Sequence, residues 1–177
     1  MKDGLGSSAV ERIIQSLIAA GADISAAKFR QDSLNTLEQL ELKDRVRHLI
    51  SVMAAHLPDS FSETAAILGR IRDHWTDGEE DDQFQIFAAW PIIDYVGQHG
   101  VEHPNIALPL LRYLTSMFSA EFAVRPFLEK HPKVAYSTML KWCHDPDEHV
   151  RRLASKVSVH ACRGANSYLA ISPIPPQ

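Results

Sequence analysis

LTSMFSAEFAVRPFLEKHPKVAYSTMLKWCHDPDEHVRRLAS, residues 114–155, is a run of amphipathic helical units. Apolar side chains recur in it at three- and four-residue steps, charged ones fall between them at regular offsets, and His-Pro and Asp-Pro pairs punctuate it. The pattern predicts short helices over residues 119–130 and 132–144 and a third from Asp147 onward, with Pro132 and Pro146 in first turns or just before them. After Ser155 the character changes. KVSVHACRGANSYLAISPIPPQ, residues 156–177, reads as β-branched residues and two clusters of glycine or proline with no helical period. The array is therefore expected to stop at Ser155, and Pro173, Pro175 and Pro176 exclude a continuing repeat helix at the end of this tail.

Outward from this stretch the same grammar fills the chain. Val10, Ile13, Ile14, Leu17 and Ile18 form a stripe that Ser7 and Ser8 are expected to cap and Gly21 to stop. Asp23 and Ser25 suit the start of a second helix around Phe29 and Leu34, and a third runs over residues 41–57 to Pro58. Ser60 and Glu63 have capping-box spacing for a fourth, with Ala66, Ile67, Leu68, Ile71 and Trp75 on its apolar face. TDGEEDD, residues 76–82, reads as a solvated connection, followed by helices over 84–99, broken before Pro91, and 104–118, with Pro109 inside. Alternating β-branched runs appear nowhere before Ser155. Consecutive short antiparallel helices with few loop residues predict an all-α fold, an α-solenoid coiled as a right-handed superhelix. Asp147, Val150, Arg151 and Ala154 have the spacing found in the second helix of a HEAT repeat, a short and weak signal alone.

Composition sets the outer limits. The chain of 177 residues, 45% hydrophobic and 23% charged, is long enough to bury one sizeable core. Its two cysteines, Cys143 and Cys162, form no disulfide framework, and MKDGLGSSAVERII lacks the basic and apolar regions of a secretion signal. No apolar run reaches the ~18 residues of a membrane span. A cytoplasmic, reduced, monomeric protein without a membrane partner is the expectation. The net charge of -4 opposes an unpatterned nucleic-acid binder while leaving room for a basic groove on an acidic body.

Glu121 and Arg125, four residues apart, share a helix face. One reading is an ordinary exposed ion pair. The sharper one is a carboxylate that a guanidinium holds near an anionic backbone, ready to stabilise positive charge developing on a sugar as an N-glycosidic bond breaks. Arg151 and Arg152 lie ~100° apart on their helix, so they cannot face one neighbour. One suits a phosphate and the other a structural carboxylate, with His149 beside them. Lys130, Lys133 and Lys141 extend a basic track or are solvated charges. His131, Cys143, His144, His149, His160 and Cys162 lack zinc-ligand spacing, so no metal is expected. Trp75, Trp90 and Trp142 sit in apolar stripes as core residues, and neither a phosphate-binding glycine loop nor a Ser-His-Asp order is visible.

Residues 1–155 resemble the AlkC group of DNA alkylation repair proteins, HEAT-like helical-repeat DNA glycosylases. The resemblance rests on KDGL near the start, ELKDRVRHL at 41–49, WPIIDYVGQHG at 90–100, SAEFAVRPF at 119–127 and HVRRLAS at 149–155. It implies excision of cationic lesions such as N3-methyladenine from double-stranded alkylated DNA, without metal or organic cofactor. By the same resemblance Glu121 is an active-site carboxylate, and Arg125, His149, Arg151 and Arg152 are DNA-binding residues. The family pattern continues past RRLAS with a second glutamate, two arginines and a tryptophan, which would fall on Lys156, Val159, Ala161 and Gly164. Permitted codons for the tail, read one nucleotide earlier from a G, encode EGFRPRLPWGEQLPRYLADPTP and recover that pattern. The chain is thus expected to comprise an incomplete repeat domain, 1–155, and a non-native frameshifted tail, 156–177, with catalysis impaired. The alternative is a non-catalytic helical-repeat module that binds DNA or protein.

Overall fold

The structure, a computed structural model, describes the backbone of residues 2–76 and 84–165 and the side chains of 4–76 and 84–157. The described residues are all-helical. A 3-10 helix (Lys2–Leu5) leads into α1 (Ser7–Ala19), α2 (Ala26–Leu37), α3 (Leu42–His56) and α4 (Phe61–Leu68), and two further 3-10 helices (Ile71–His74 and Gln85–Ala89) follow. Then come α5 (Trp90–His99), α6 (Pro104–Leu114), α7 (Glu121–Lys130), α8 (Pro132–Trp142) and α9 (Glu148–Ala165).

Two layers organise these helices. α3, α5, α7 and α9 lie side by side in one, α4, α6 and α8 in the other, and from α4 onward successive helices pack across the layers. This is solenoid packing, in which each repeat buries its apolar face on its neighbours. The stripes read from the sequence meet in one core: Leu17, Phe29, Leu49, Met53, Ile92, Val96, Leu111 and Phe127 are all buried. Each such side chain contributes about 1.5–3 kcal/mol by leaving water. Within the site-bearing layer α5 and α7 touch most closely at Gly97, where an added Cβ would come within 2.8 Å of the Ala123 backbone. Only glycine permits that approach without a shift of α7.

Local expectations fare unevenly. Ser25 caps α2 by accepting from the Lys28 N–H at 3.4 Å. Ser7 and Ser8 do not cap α1; they lie in or beside its first turn, where Gly6 occupies the cap position. Ser60 holds the cap position of α4 without a side-chain bond, and Thr64 Oγ1 instead donates to the Pro58 carbonyl at 3.0 Å. Gly69 splits the fourth unit, so Ile71 sits in a separate 3-10 turn. Trp142 is buried as expected, whereas Trp75 and Trp90 are only half-buried.

The connection expected at 76–82 falls outside the described residues except for exposed Thr76. Its flanks are tied by one side chain: Arg12 stacks 4.7 Å over Trp75 and donates to the Thr76 carbonyl at 2.7 and 3.0 Å and the Gln85 carbonyl at 2.9 Å.

The largest departure is at the C-terminal end. Helical structure does not stop at Ser155, because α9 runs on to Ala165. Val157 is buried and extends the stripe of Val150, Leu153 and Ala154 at helical spacing. β-Branched residues cost only a few tenths of a kcal/mol each in a helix that is already nucleated. The expectation for the proline-rich residues 166–177 lies outside the described residues.

Candidate functional site

The first turn of α7 is built by the segment before it. Phe118 stacks on Trp90 with centroids 5.5 Å apart, and the Trp90 indole N–H donates to Asp94 at 2.7 Å, which fastens the entry of α7 to α5. Thr115 Oγ1 then accepts from the Ala120 N–H at 3.3 Å and Ser119 Oγ from the Glu121 N–H at 3.4 Å. Burial pushes the Asp94 carboxyl above its ordinary pKa, an effect the indole N–H opposes. Pro126 in the middle of α7 removes the N–H that would otherwise bond the Phe122 carbonyl, loosening that helix one turn after its start.

Glu121 opens α7 with its side chain 15% exposed. Its Oε1 accepts from Arg125 Nη2 at 3.2 Å, the pair that four-residue spacing predicts. The same Arg125 guanidinium lies 4.5 Å from the centroid of the exposed Phe122 ring. From α9, Lys156 Nζ comes within 3.7 Å of Glu121 Oε2. The position where the family pattern has a second glutamate thus meets Glu121 in space. A cation stands there instead.

Arg151 and Arg152 divide as their angular separation requires. Arg151 Nη1 donates to the Asp145 and Pro146 carbonyls, both at 2.8 Å, and so holds the turn before α9. Arg152 is exposed and meets no carboxylate among the described residues. His149 is exposed; its backbone N–H donates to Asp147 Oδ1 at 2.8 Å, which makes Asp147 the starting cap of α9. Lys133 and Lys141 are solvated, and Lys130 pairs with Glu102 on the preceding repeat.

Sequence reasoning assigned the structural carboxylate of a repeat arginine to Arg151 or Arg152, and missed where it is. Arg112 of α6 donates through Nε and Nη2 to Asp145 at 2.6 and 3.0 Å, and the Asp147 N–H adds a third bond at 3.0 Å. The Arg112 hydrogen bonds hold the Asp145 carboxyl below its ordinary pKa and raise that of Arg112. The Asp-Pro-Asp signal was visible; its partner 33 positions upstream was not. No three His, Cys, Asp or Glu side chains come together at metal-binding range among the described residues. None of the described helices is long and apolar enough to cross a membrane.

No protein-family model matches the chain. The uncharacterized protein YhaZ of Bacillus subtilis is 32% identical over 120 residues, which is 68% of this chain and 31% of YhaZ. Among solved structures, the alkylpurine DNA glycosylase AlkC of Pseudomonas fluorescens, bound to DNA containing an abasic site analog, superposes with a TM-score of 0.76 at 25% identity. That match covers 89% of this chain and 42% of AlkC, so the chain spans less than half the length of either protein. The two helical layers and this superposition agree: the chain has the AlkC-type helical-repeat fold.

Proposed function

We propose that this chain carries the lesion-facing part of a DNA alkylation-repair glycosylase, and that catalysis is impaired in the chain as it stands. One observation carries the reading: a largely buried carboxylate, Glu121, held by Arg125 within a fold shared with a DNA-bound alkylpurine DNA glycosylase. The substrate is double-stranded DNA with a cationic base such as N3-methyladenine, and the reaction is hydrolysis of the N-glycosidic bond. As that bond breaks, its electron pair leaves with the base, which becomes neutral, while positive charge grows on the sugar. A preorganised carboxylate stabilises that charge in the transition state more than in the ground state. Arg152 and Arg125, with His149 nearby in sequence, supply phosphate contacts; Arg151 contributes with the donors that the turn does not use. No cofactor is needed, and the protein acts as a monomer in the cytoplasm.

Lys156 opposes this chemistry. A cation 3.7 Å from Glu121 offsets the field that the carboxylate offers a sugar cation. The same contact favours a second reading of the chain as it stands, a helical module that binds DNA without cutting it. The test uses methylated duplex DNA. The chain should bind it with an affinity that falls as salt rises, by a slope of ~0.9 per phosphate contact, and should release little or no methylated base. The longer protein read in the shifted frame after Ser155 should excise it. Salt-independent binding, or a longer protein that leaves the methylated base in place, contradicts the proposal.

A further inference from the structure

Phe122 is 56% exposed, the most open of the described Phe, Tyr and Trp side chains. Single exposed apolar residues are ordinary on protein surfaces. This ring differs from them in its company. The Arg125 guanidinium lies 4.5 Å from its centroid while Arg125 Nη2 holds Glu121, so one arginine fixes both the ring and the carboxylate. Stacking a guanidinium on an aromatic ring restricts the ring's rotation and keeps a positive charge beside it. More than half of the side chain nevertheless stays open, on the first turn of α7 and next to the residue proposed to face the sugar.

An exposed aromatic with a cation beside it has the make-up of a platform on which a nucleobase stacks while the cation meets the backbone. We infer that Phe122 stacks against a nucleobase bordering the lesion and is a DNA-positioning residue of this site. The inference rests on the DNA reading above. Stacking tolerates any base, since every base has a π-face, and a protein that recognises damage rather than sequence requires that tolerance. A missing base in the stack, with the backbone unbroken as at an abasic site, lowers the cost of unstacking the neighbouring base, so the contact should favour such base-gapped DNA over intact DNA.

The experiment measures binding of the full chain to two fluorescently labelled duplexes, one intact and one with a central tetrahydrofuran abasic analog, across a salt series. Phe122→Ala should weaken binding to the gapped duplex by on the order of tenfold, with little change on the intact one. Its salt slope should not move, because no phosphate contact is removed. Phe122→Trp should retain the preference, and its indole fluorescence should change more with gapped than with intact DNA. Leu140→Ala, at a 69% exposed apolar position on α8, should bind as the unaltered chain does. If Phe122→Ala binds both duplexes like the unaltered chain, or weakens both equally, the stacking role is wrong while the DNA reading stands. If the unaltered chain binds neither duplex, the DNA reading falls and this inference with it.

Discussion

At the turn between α8 and α9, the Asp145 side chain is 7% exposed and takes three hydrogen bonds, two from Arg112 and one from the Asp147 N–H. At the start of α7, Glu121 holds Arg125 through one bond at 3.2 Å and faces Lys156 at 3.7 Å. Both are arginine–carboxylate pairs in one helical array. The first joins two repeats across 33 positions, in a carboxylate geometry saturated by short bonds; the second is local, longer and set beside an exposed aromatic ring. Bidentate pairing with a buried carboxylate fixes a turn, whereas a longer contact at the end of a helix leaves a charge able to respond to a ligand.

The largest expected effect on stability therefore belongs to Asp145. Asp145→Ala should cost about 2–3 kcal/mol in urea unfolding, since it strips three hydrogen bonds from a closed turn, whereas Glu121→Ala, which removes one side-chain bond, should cost about 1 kcal/mol or less. The reverse order would show that Glu121, not Asp145, holds the fold. Asp145 also predicts a pH signature. Its folded pKa lies below the ordinary value, so its contribution is complete above about pH 4 and is lost as pH falls through the folded pKa. The stability gap between the unaltered chain and Asp145→Asn should be flat from pH 5 to 8, within ~0.3 kcal/mol, and close below that. A gap that widens in acid contradicts the assignment.

Arg151 and Arg152 sharpen the same contrast within one helix turn. Arg152→Ala should lower the salt slope of DNA binding by about 1 and leave stability unchanged, because its guanidinium faces solvent. Arg151→Ala should cost about 0.5–1.5 kcal/mol of stability through its two carbonyl bonds, with the smaller effect on the slope. Equal slopes for the two variants would undo the division.

How far such roles are legible in the sequence depends on the range of the contact. Local periodicity was enough to find α1, α3, α7 and α8, and four-residue spacing was enough to pair Glu121 with Arg125. Caps were less legible: Ser60 has the right spacing, yet its side chain makes no cap bond, and the Thr64 hydroxyl donates to the Pro58 carbonyl, which caps no N–H. The extent of α9 is not legible from residue type, because β-branched residues signal an end to the helix while Val157 continues the apolar stripe onto the previous repeats. Arg112 gave no signal at all. Its partner is chosen by repeat stacking, which spacing along the chain does not encode. The meeting of Lys156 with Glu121 lies between these cases: each position was singled out by the family pattern, and only helix packing reveals the 3.7 Å contact.

On the proposed function, Glu121 serves chemistry while Asp145 serves the fold. The proposed frameshift supplies the test: Glu121→Gln in a protein restored after Ser155 to the frame that begins EGFRPRLPW, measured for both base excision from methylated DNA and thermal unfolding. Removing one well-placed electrostatic group should lower the excision rate on the order of 10²–10³, while the melting temperature stays within about 1 °C of the unaltered protein. Normal excision by that variant, or a loss of melting temperature comparable to that of Asp145→Ala, would make Glu121 the structural half of an ion pair and contradict the claim.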